Sequence, residues 1–477
     1  MQFKLLAVAV GTTLLVAACG GGDSGGVVQP PAIKYTSLVS FGDSLSDVGT
    51  YKVGVVAALG GGTYTVNGIS GIGTIPSKNW TELMAAQLAL PAPCAAQTGL
   101  NSIAPFAGPF PISFAPTDPI TGLTTCTNYA QGGARVTNPV GPGSALAPVN
   151  SPLGQLTIPL VTQISRHLAR SGGSFSGTEL VTVMAGGNDA LRILDTLVAA
   201  ANTAGSTAFG NALVSGLVAL VPNPANQGAA AVAIGTAVQT AAAAPGATTT
   251  TIVTAAVTAA SGQPGVTLPI DSTPIVTTAG AAGAAAGAAY GKTNGPVAAN
   301  DMAQAGKELA TYIKTQIVGK GAKYVVVVNL PDLSSTPSAA GQSADTKSLI
   351  LNMVIYFNTL LETELAGTPG VRVVDAFTEM RSFVANPSAY GLTNATATAC
   401  NLSATAGTVI GNGLADPTKA NSGTSLVCNA TNTLRDAGGT AIDVSKYMFA
   451  DTVHPTPYGY KLIADLVTKN MTQAGWL

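Results

Sequence analysis

Four short apolar runs rich in β-branched residues mark out the chain: "YTSLVSF", "ELVTVM" (Glu179–Met184), "AKYVVVVNL" (Ala322–Leu330) and "VRVVDAF" (Val371–Phe377). Each has the length and composition of a buried strand. Segments with helical spacing lie between and around them: "WTELMAAQLAL", "QLTIPLVTQISRHLAR", "DMAQAGKELATYIKTQIVG", "TKSLILNMVIYFNTLLETELAG" and "YGYKLIADLVTKNM". In the last, Leu462, Ile463, Leu466 and Val467 recur at three- and four-residue intervals. Apolar strands alternating with helices predict an α/β fold, with a parallel sheet covered on both faces. One region breaks the pattern. From Thr196 to Ile270 there is no charged residue, and Ala, Gly and Thr dominate. Pro, Gly, Asn, Gln and Thr interrupt it too often for a membrane span. It reads as an insertion at about 196–300, weakly helical, and more a surface ornament than a cover for a functional site.

Composition narrows the classes. Only 9% of the 477 residues are charged, against roughly 25% in soluble proteins generally. The formal charge is -1 and no basic cluster occurs, so nucleic acid is not an expected partner. The N-terminus has the form of an export signal, with Lys4 followed by the apolar "LLAVAVGTTLLVAA". The next residue is Cys19, and "LVAAC" resembles the bacterial lipobox. That resemblance implies a lipoprotein signal peptide over 1–18, with cleavage before Cys19 and diacylglycerol on its sulfur. A Gly/Ser/Pro tether over 19–34 follows. Gly20 stands where Asp would favour inner-membrane retention, so the expected location is the outer membrane of the cell envelope.

Setting Cys19 aside leaves Cys94, Cys126, Cys400 and Cys428. An even number in an exported chain suggests disulfides, and four cysteines allow three connectivities. The sequence-near pairing, Cys94–Cys126 and Cys400–Cys428, is the simplest. Each bridge would close a loop of about 30 residues, worth on the order of 3–4 kcal/mol. The spacings match no zinc site, and both histidines lie far from any cysteine. No metal is expected.

Polar chemistry is concentrated in a few places. "SFGDSLSDVGT", Ser40–Thr50, puts two acids and three serines straight after the first predicted strand. A serine that performs acyl transfer needs a base and oxyanion donors. Of the two histidines, His167 lies in "ISRHLAR", where a solvated helix-face position is expected. His454 lies three residues after Asp451 in "ADTVHPTPYGY". In a turn, that spacing lets a carboxylate hold the Nδ1 proton and free Nε2 as base. Asp-x-x-His alone is a weak signal. "NYAQGGARV", Asn128–Val136, offers glycines where a backbone N–H can approach an oxyanion. "VMAGGNDALR", Val183–Arg192, places Asn188 after a predicted strand, at the edge where open α/β sheets gather ligands. "GDSGG", Gly22–Gly26, fits the G-x-S-x-G pattern, but it sits in the tether without the strand and helix that this motif needs.

In order, "FGDSLSDVG", "NYAQGGA", "GGNDAL" and "DTVHPT" resemble the four blocks of the SGNH (GDSL) hydrolase superfamily. "VVVVNLPDLSSTP", "FNTLL" and "YGLT" resemble landmarks of its larger esterases. The resemblance covers roughly Tyr35 to Leu477 apart from the Ala-rich insertion. It implies a flavodoxin-like three-layer α/β/α domain over 35–477, with a mostly parallel sheet of about five strands. It further implies that Ser44 is the nucleophile and, through its own N–H, an oxyanion donor. Gly133, counted five residues on from Asn128, is the second donor, with Gly132 the adjacent alternative. Asn188 supplies a third, His454 is the base, and Asp451 orients it. Thr50 departs from the family's usual Asn, at a position without a catalytic role.

The implied activity is hydrolysis of a small-molecule or lipid acyl ester through an acyl-Ser44 intermediate, by a monomer that needs no cofactor. An acyltransferase or a polysaccharide deacetylase would use the same site. A surface lipoprotein that only binds is the non-enzymatic alternative, against which the intact Ser44, Asn188, Asp451 and His454 set argues. Related autotransporter esterases continue into a β-barrel; here the lipid on Cys19 is the expected membrane anchor.

Overall fold

Each of the four β-branched runs forms a strand, and they lie side by side in the order in which they occur along the chain. The computed structural model describes residues 33–68, 77–101, 110–115, 125–411 and 424–477. Its strands are β1 (Leu38–Gly42), β2 (Gln97–Leu100), β3 (Phe110–Phe114), β4 (Leu180–Met184), β5 (Tyr324–Val328), β6 (Val371–Val374), β7 (Asn394–Thr398) and β8 (Tyr447–Phe449). The main sheet is parallel in the order β1-β4-β5-β6, with Leu38 opposite Leu180, Leu180 opposite Tyr324 and Val325 opposite Val371. β2 and β3 form an antiparallel pair, and β7 lies parallel to β8.

Four strands were found where about five were expected, and the fifth place is filled by a near-strand. Outside β1, the Ser40 N–H donates to Thr127 O at 3.0 Å, the Tyr129 N–H to Ser40 O at 2.8 Å, and the Gln131 N–H to Gly42 O at 3.1 Å. This is parallel bonding over one bridge, Ser40–Asn128. It stops short of a strand because Asn128 turns its amide to Ser46 O, at 2.9 Å, and to the Ala130 N–H.

Alternate side chains of the strands face different layers. Val39, Phe41, Val181, Val183, Val325 and Val327 join one buried cluster with Ile164, Met302, Leu309, Met353 and Phe357. These last come from the helices Leu160–Arg170, Thr273–Tyr312 and Ala344–Leu365. The helices Trp80–Gln87 and Pro457–Gln473 touch one another, and the second also contacts β6. The result is a mixed α/β fold with a mostly parallel sheet flanked by helices, consistent with the α/β/α expectation. Leu160–Arg170 starts later than its apolar pattern because Pro159 occupies the N-cap.

The insertion at about 196–300 is helical throughout most of its length: Gly187–Val218, Pro224–Ala243, Thr249–Ser261 and Thr273–Tyr312. Residues 196 and 300 fall inside the first and last of these, so the compositional boundaries coincide with no break in the backbone. Its helices have their own core of Leu213, Leu217, Val221, Ile234 and small residues. Gly205 and Gly283 bring two helices so close that a Cβ on either would lie about 3 Å from the other's carbonyl oxygen (3.0 and 2.9 Å). Threonines there return their hydroxyls to the preceding turn, as Thr254 does to Thr250 O and Thr277 to Thr273 O, both within 2.9 Å. Small side chains and self-bonded hydroxyls let the stretch from Thr196 to Ile270 do without charge. Among the described residues, no helix is long and apolar enough to cross a membrane.

Candidate active site

β1 delivers Ser44 to the carboxyl edge of the sheet. Gly42, its last residue, is gripped by a side-chain amide: its N–H donates to Gln163 Oε1 at 2.9 Å, and Gln163 Nε2 donates to Gly42 O at 2.8 Å. The Asp43 N–H then donates to Met184 O at 3.3 Å, so the turn is tied to β4 as well. Ser44 follows, 7% exposed, with its Oγ 2.8 Å from His454 Nε2.

His454 sits in a closed turn after β8. The Ala450 N–H donates to His454 O at 2.7 Å and the Thr456 N–H to Met448 O at 2.9 Å. Thr456 caps the C-terminal helix by accepting from the Gly459 N–H at 3.1 Å, and Pro457 occupies the first turn. Local sequence thus dictates where the imidazole stands. Nδ1 lies 2.8 Å from Asp451 Oδ2 and 2.9 Å from Oδ1. Asp451 also accepts from the backbone N–H groups of Ser425 (2.7 Å), Val453 (3.0 Å) and His454 (2.9 Å). Burial acts to raise the Asp451 pKa, but His454 and these donors outweigh it and hold the carboxyl well below its usual range. The Tyr64 ring lies against the imidazole, centroids 4.7 Å apart.

The wall of the site facing Ser44 is built from the second and third blocks. Asp47 is buried and accepts from Gly49 (2.8 Å), Thr50 (2.7 Å) and Gly132 (3.0 Å). The Gly132 N–H is therefore spent on Asp47. Among the described residues, the N–H groups of Ser44 and Gly133 carry no hydrogen bond. That distinction separates Gly133 from its neighbour. Gly133 has φ +76°, and a Cβ there would stand 2.3 Å from Pro142 O, so only glycine fits. Asn188 donates one Nδ2 hydrogen to Ala134 O at 2.8 Å, which leaves the second free. Asp189 accepts from Arg135 Nε at 2.9 Å and from the Val136 N–H at 3.0 Å, pinning the second block to the third. Thr50 donates its hydroxyl to Ala130 O at 3.1 Å, supporting the same loop.

Three buried acids underlie this arrangement. Burial pushes the Asp43 carboxyl up to about 7, opposed by the Leu45 N–H and by His454. Burial raises Asp47 to about 6 against its three backbone donors. Asp189 is raised by burial and partly offset by Arg135.

Ser44, Gly133, Asn188 and His454 all line one cavity of about 250 Å³. Larger cavities of about 430 and 880 Å³ lie among the helices Gly187–Val218 and Thr273–Tyr312 and contain none of these four. Volume alone would select the wrong place; the chemistry selects the smaller cavity. No residue of 196–300 lines it. Among the described residues, no group of three His, Cys, Asp or Glu is placed to hold a metal ion.

His167 departs from expectation. It is 5% exposed, not solvated, with its ring among Phe41, Tyr129 and Phe175 at 5.6, 5.4 and 4.6 Å. Burial pushes its pKa down to about 4, so it is a neutral core residue. Its charged neighbours Arg166 and Arg170 instead extend over the Phe114 ring, 5.5 and 5.4 Å from its centroid. Disulfides join Cys94 to Cys126 and Cys400 to Cys428. Cys19 and the "GDSGG" segment lie outside the described residues. Gln163, Tyr64 and Ser425 support the site and were not legible in the sequence, since none belongs to a motif. Asp47 stood in the quoted first block without an assigned role.

Comparison with known proteins bears on the family. Residues 281–467 match the family model "GDSL-like Lipase/Acylhydrolase". The matched span includes Asp451 and His454, while Ser44, Gly133 and Asn188 precede it. A stretch of 177 residues is 33% identical to an "Uncharacterized protein in trpE-trpG intergenic region" of Pseudomonas putida, covering 37% of this chain. The alignment takes in 25% of that relative, so the chain spans about a quarter of its length. The family match supports the SGNH/GDSL superfamily, and with it a hydrolase of ester substrates generally.

Proposed function

We propose that the protein is a serine carboxylester hydrolase acting through an acyl-Ser44 intermediate. The observation that carries this reading is the 2.8 Å contact between Ser44 Oγ and His454 Nε2, on the same cavity wall as Gly133 and Asn188. Ser44 attacks the ester carbonyl while His454 Nε2 takes its proton. Charge developing on the carbonyl oxygen meets the N–H groups of Ser44 and Gly133 and the second Nδ2 hydrogen of Asn188. His454 returns the proton to the departing alcohol. It then deprotonates a water that releases the acid and restores Ser44. Asp451, kept anionic, holds the Nδ1 proton throughout.

The test is labelling of the protein with a fluorophosphonate, followed by peptide mass spectrometry, on wild type and His454→Ala together. An adduct on Ser44 that nearly disappears in the variant is expected. No adduct on folded, oxidised wild type would refute the hydrolase reading and favour a lipoprotein that only binds.

The reading includes export and lipidation on Cys19, with the enzyme working at the outer membrane on esters near its surface. Its supports are the lipobox-like "LVAAC" and the two disulfides, which fit an oxidising compartment. Incorporation of labelled palmitate in cells, lost in Cys19→Ser, is the corresponding check.

A further inference from the structure

We propose that Leu191, Leu333, Thr336 and Val453 form an end wall that sets acyl-chain length, making esters of acids with about four to eight carbons the preferred substrates. This rests on the ester-hydrolase reading and deepens it. The cavity that holds Ser44 is uneven. On the Gly133 side it carries Gln155, whose Oε1 would be 3.1 Å from a Cβ on Gly133. On the other side Leu191 stands three residues beyond Asn188, on the same helical face, and lines the cavity together with Leu333, Val453 and Met380. An aliphatic chain is stabilised on the leucine side, whereas beside the Gln155 amide it would strip a polar group of water.

The apolar side does not simply continue. A second cavity of about 40 Å³ lies behind it, bordered by the same Leu191, Leu333, Thr336 and Val453, then by Ile350 and Met353. Four side chains shared by two cavities are a partition one residue thick. At roughly 30 Å³ per non-hydrogen atom, taking water's share of liquid volume as the measure, the main cavity's 250 Å³ holds about eight atoms. A heptanoyl group, seven carbons and one oxygen, fills it. A dodecanoyl group, with thirteen such atoms, overruns it by about five, which must breach the wall or return to solvent. Within the cavity, each methylene removed from water raises kcat/KM by about fourfold.

Leu191→Ala opens the partition and joins the two spaces. Leu333→Trp thickens it. The experiment measures kcat/KM of the full chain on 4-nitrophenyl esters from acetate to palmitate. Active-site concentration is fixed by fluorophosphonate titration, so unfolded protein does not enter the rates. Expected for wild type is a rise to an optimum between butyrate and octanoate, then a fall of at least about tenfold by laurate. Leu191→Ala raises the decanoate-to-butyrate ratio about tenfold, and Leu333→Trp moves the optimum towards acetate. Rates that stay flat or keep rising through palmitate, with Ser44 labelled, overturn the wall and leave the hydrolase reading standing. So do variant ratios that match wild type. No hydrolysis and no Ser44 adduct overturn both.

Discussion

Asp451→Asn separates the orientation of His454 from its chemistry, because the amide keeps the carboxylate's shape. In wild type, Oδ1 accepts from the Val453 and His454 backbones, and Oδ2 accepts from the Ser425 N–H while lying 2.8 Å from Nδ1. An asparagine oxygen can serve only one of these two sides. With that oxygen toward Val453 and His454, the amide hydrogens face the Ser425 N–H and Nδ1. Nδ1 then faces an amide N–H in place of Oδ2, with the one oxygen 2.9 Å away and already shared by two backbone donors; accepting from that N–H moves the imidazole proton to Nε2, where it cannot accept from Ser44. Wrong-tautomer triads of this kind lose about 10⁴ in kcat, equivalent to about 5.4 kcal/mol of barrier. The buried Ser425 N–H loses its acceptor, a stability cost of about 1–3 kcal/mol.

The acid side provides an internal check. The Asp451 pKa is depressed by folding, so the carboxylate contributes stability above the ordinary range of about 4 and loses it as pH falls below that. Wild type should therefore lose more stability than the variant between neutral pH and about pH 3. Steady-state hydrolysis of 4-nitrophenyl butyrate gives kcat and KM, and thermal unfolding in the same buffer reports folding. A folded Asp451→Asn enzyme with kcat within tenfold of wild type would falsify the assignment of Asp451 as the orienting group.

Gly133→Ala combines a left-handed φ with a Cβ only 2.3 Å from Pro142 O, so it should shift the loop, cost about 1–3 kcal/mol of stability and lower kcat about 10²-fold; melting and turnover at normal levels would show that this N–H is not a donor. Asp43→Asn keeps an oxygen for the Leu45 N–H but removes a charge whose pKa burial lifts to about 7. Because a raised carboxyl weakens the fold as pH climbs from about 4 to 7, Asn should raise Tm at pH 8 and change it little at pH 4. An equal shift at both pH values contradicts the burial argument. Breaking Cys400–Cys428, with a separation of 28 residues, should cost about 3–4 kcal/mol. Since Ser425, which donates to Asp451, is three residues from Cys428, turnover should fall too; calorimetry and kinetics of the double Cys→Ser variant against wild type measure both.

The short pairs β2–β3 and β7–β8 were not legible in the sequence, whereas the positions of the four main-sheet strands, the alternation of layers and the order of the four polar blocks were. Each depends on local pattern: β-branched runs of strand length, apolar spacing at three and four, and motifs a few residues long. The 2.8 Å contact between Ser44 and His454, 410 residues apart, belongs to the folded chain alone. Which of two adjacent glycines keeps a free N–H was decided by Asp47, reaching across 85 residues. His167 looked solvated from its arginine neighbours and is buried, because a helix's inward face is chosen by what packs on it. The close approach of two insertion helices likewise depends on Gly205 meeting Gly283, a pairing across 78 residues. What lies within one turn or one strand is set by backbone sterics and hydrophobic period, so sequence determines it. Pairings between distant segments depend on burial and on which donors remain unspent, and only the tertiary structure decides those.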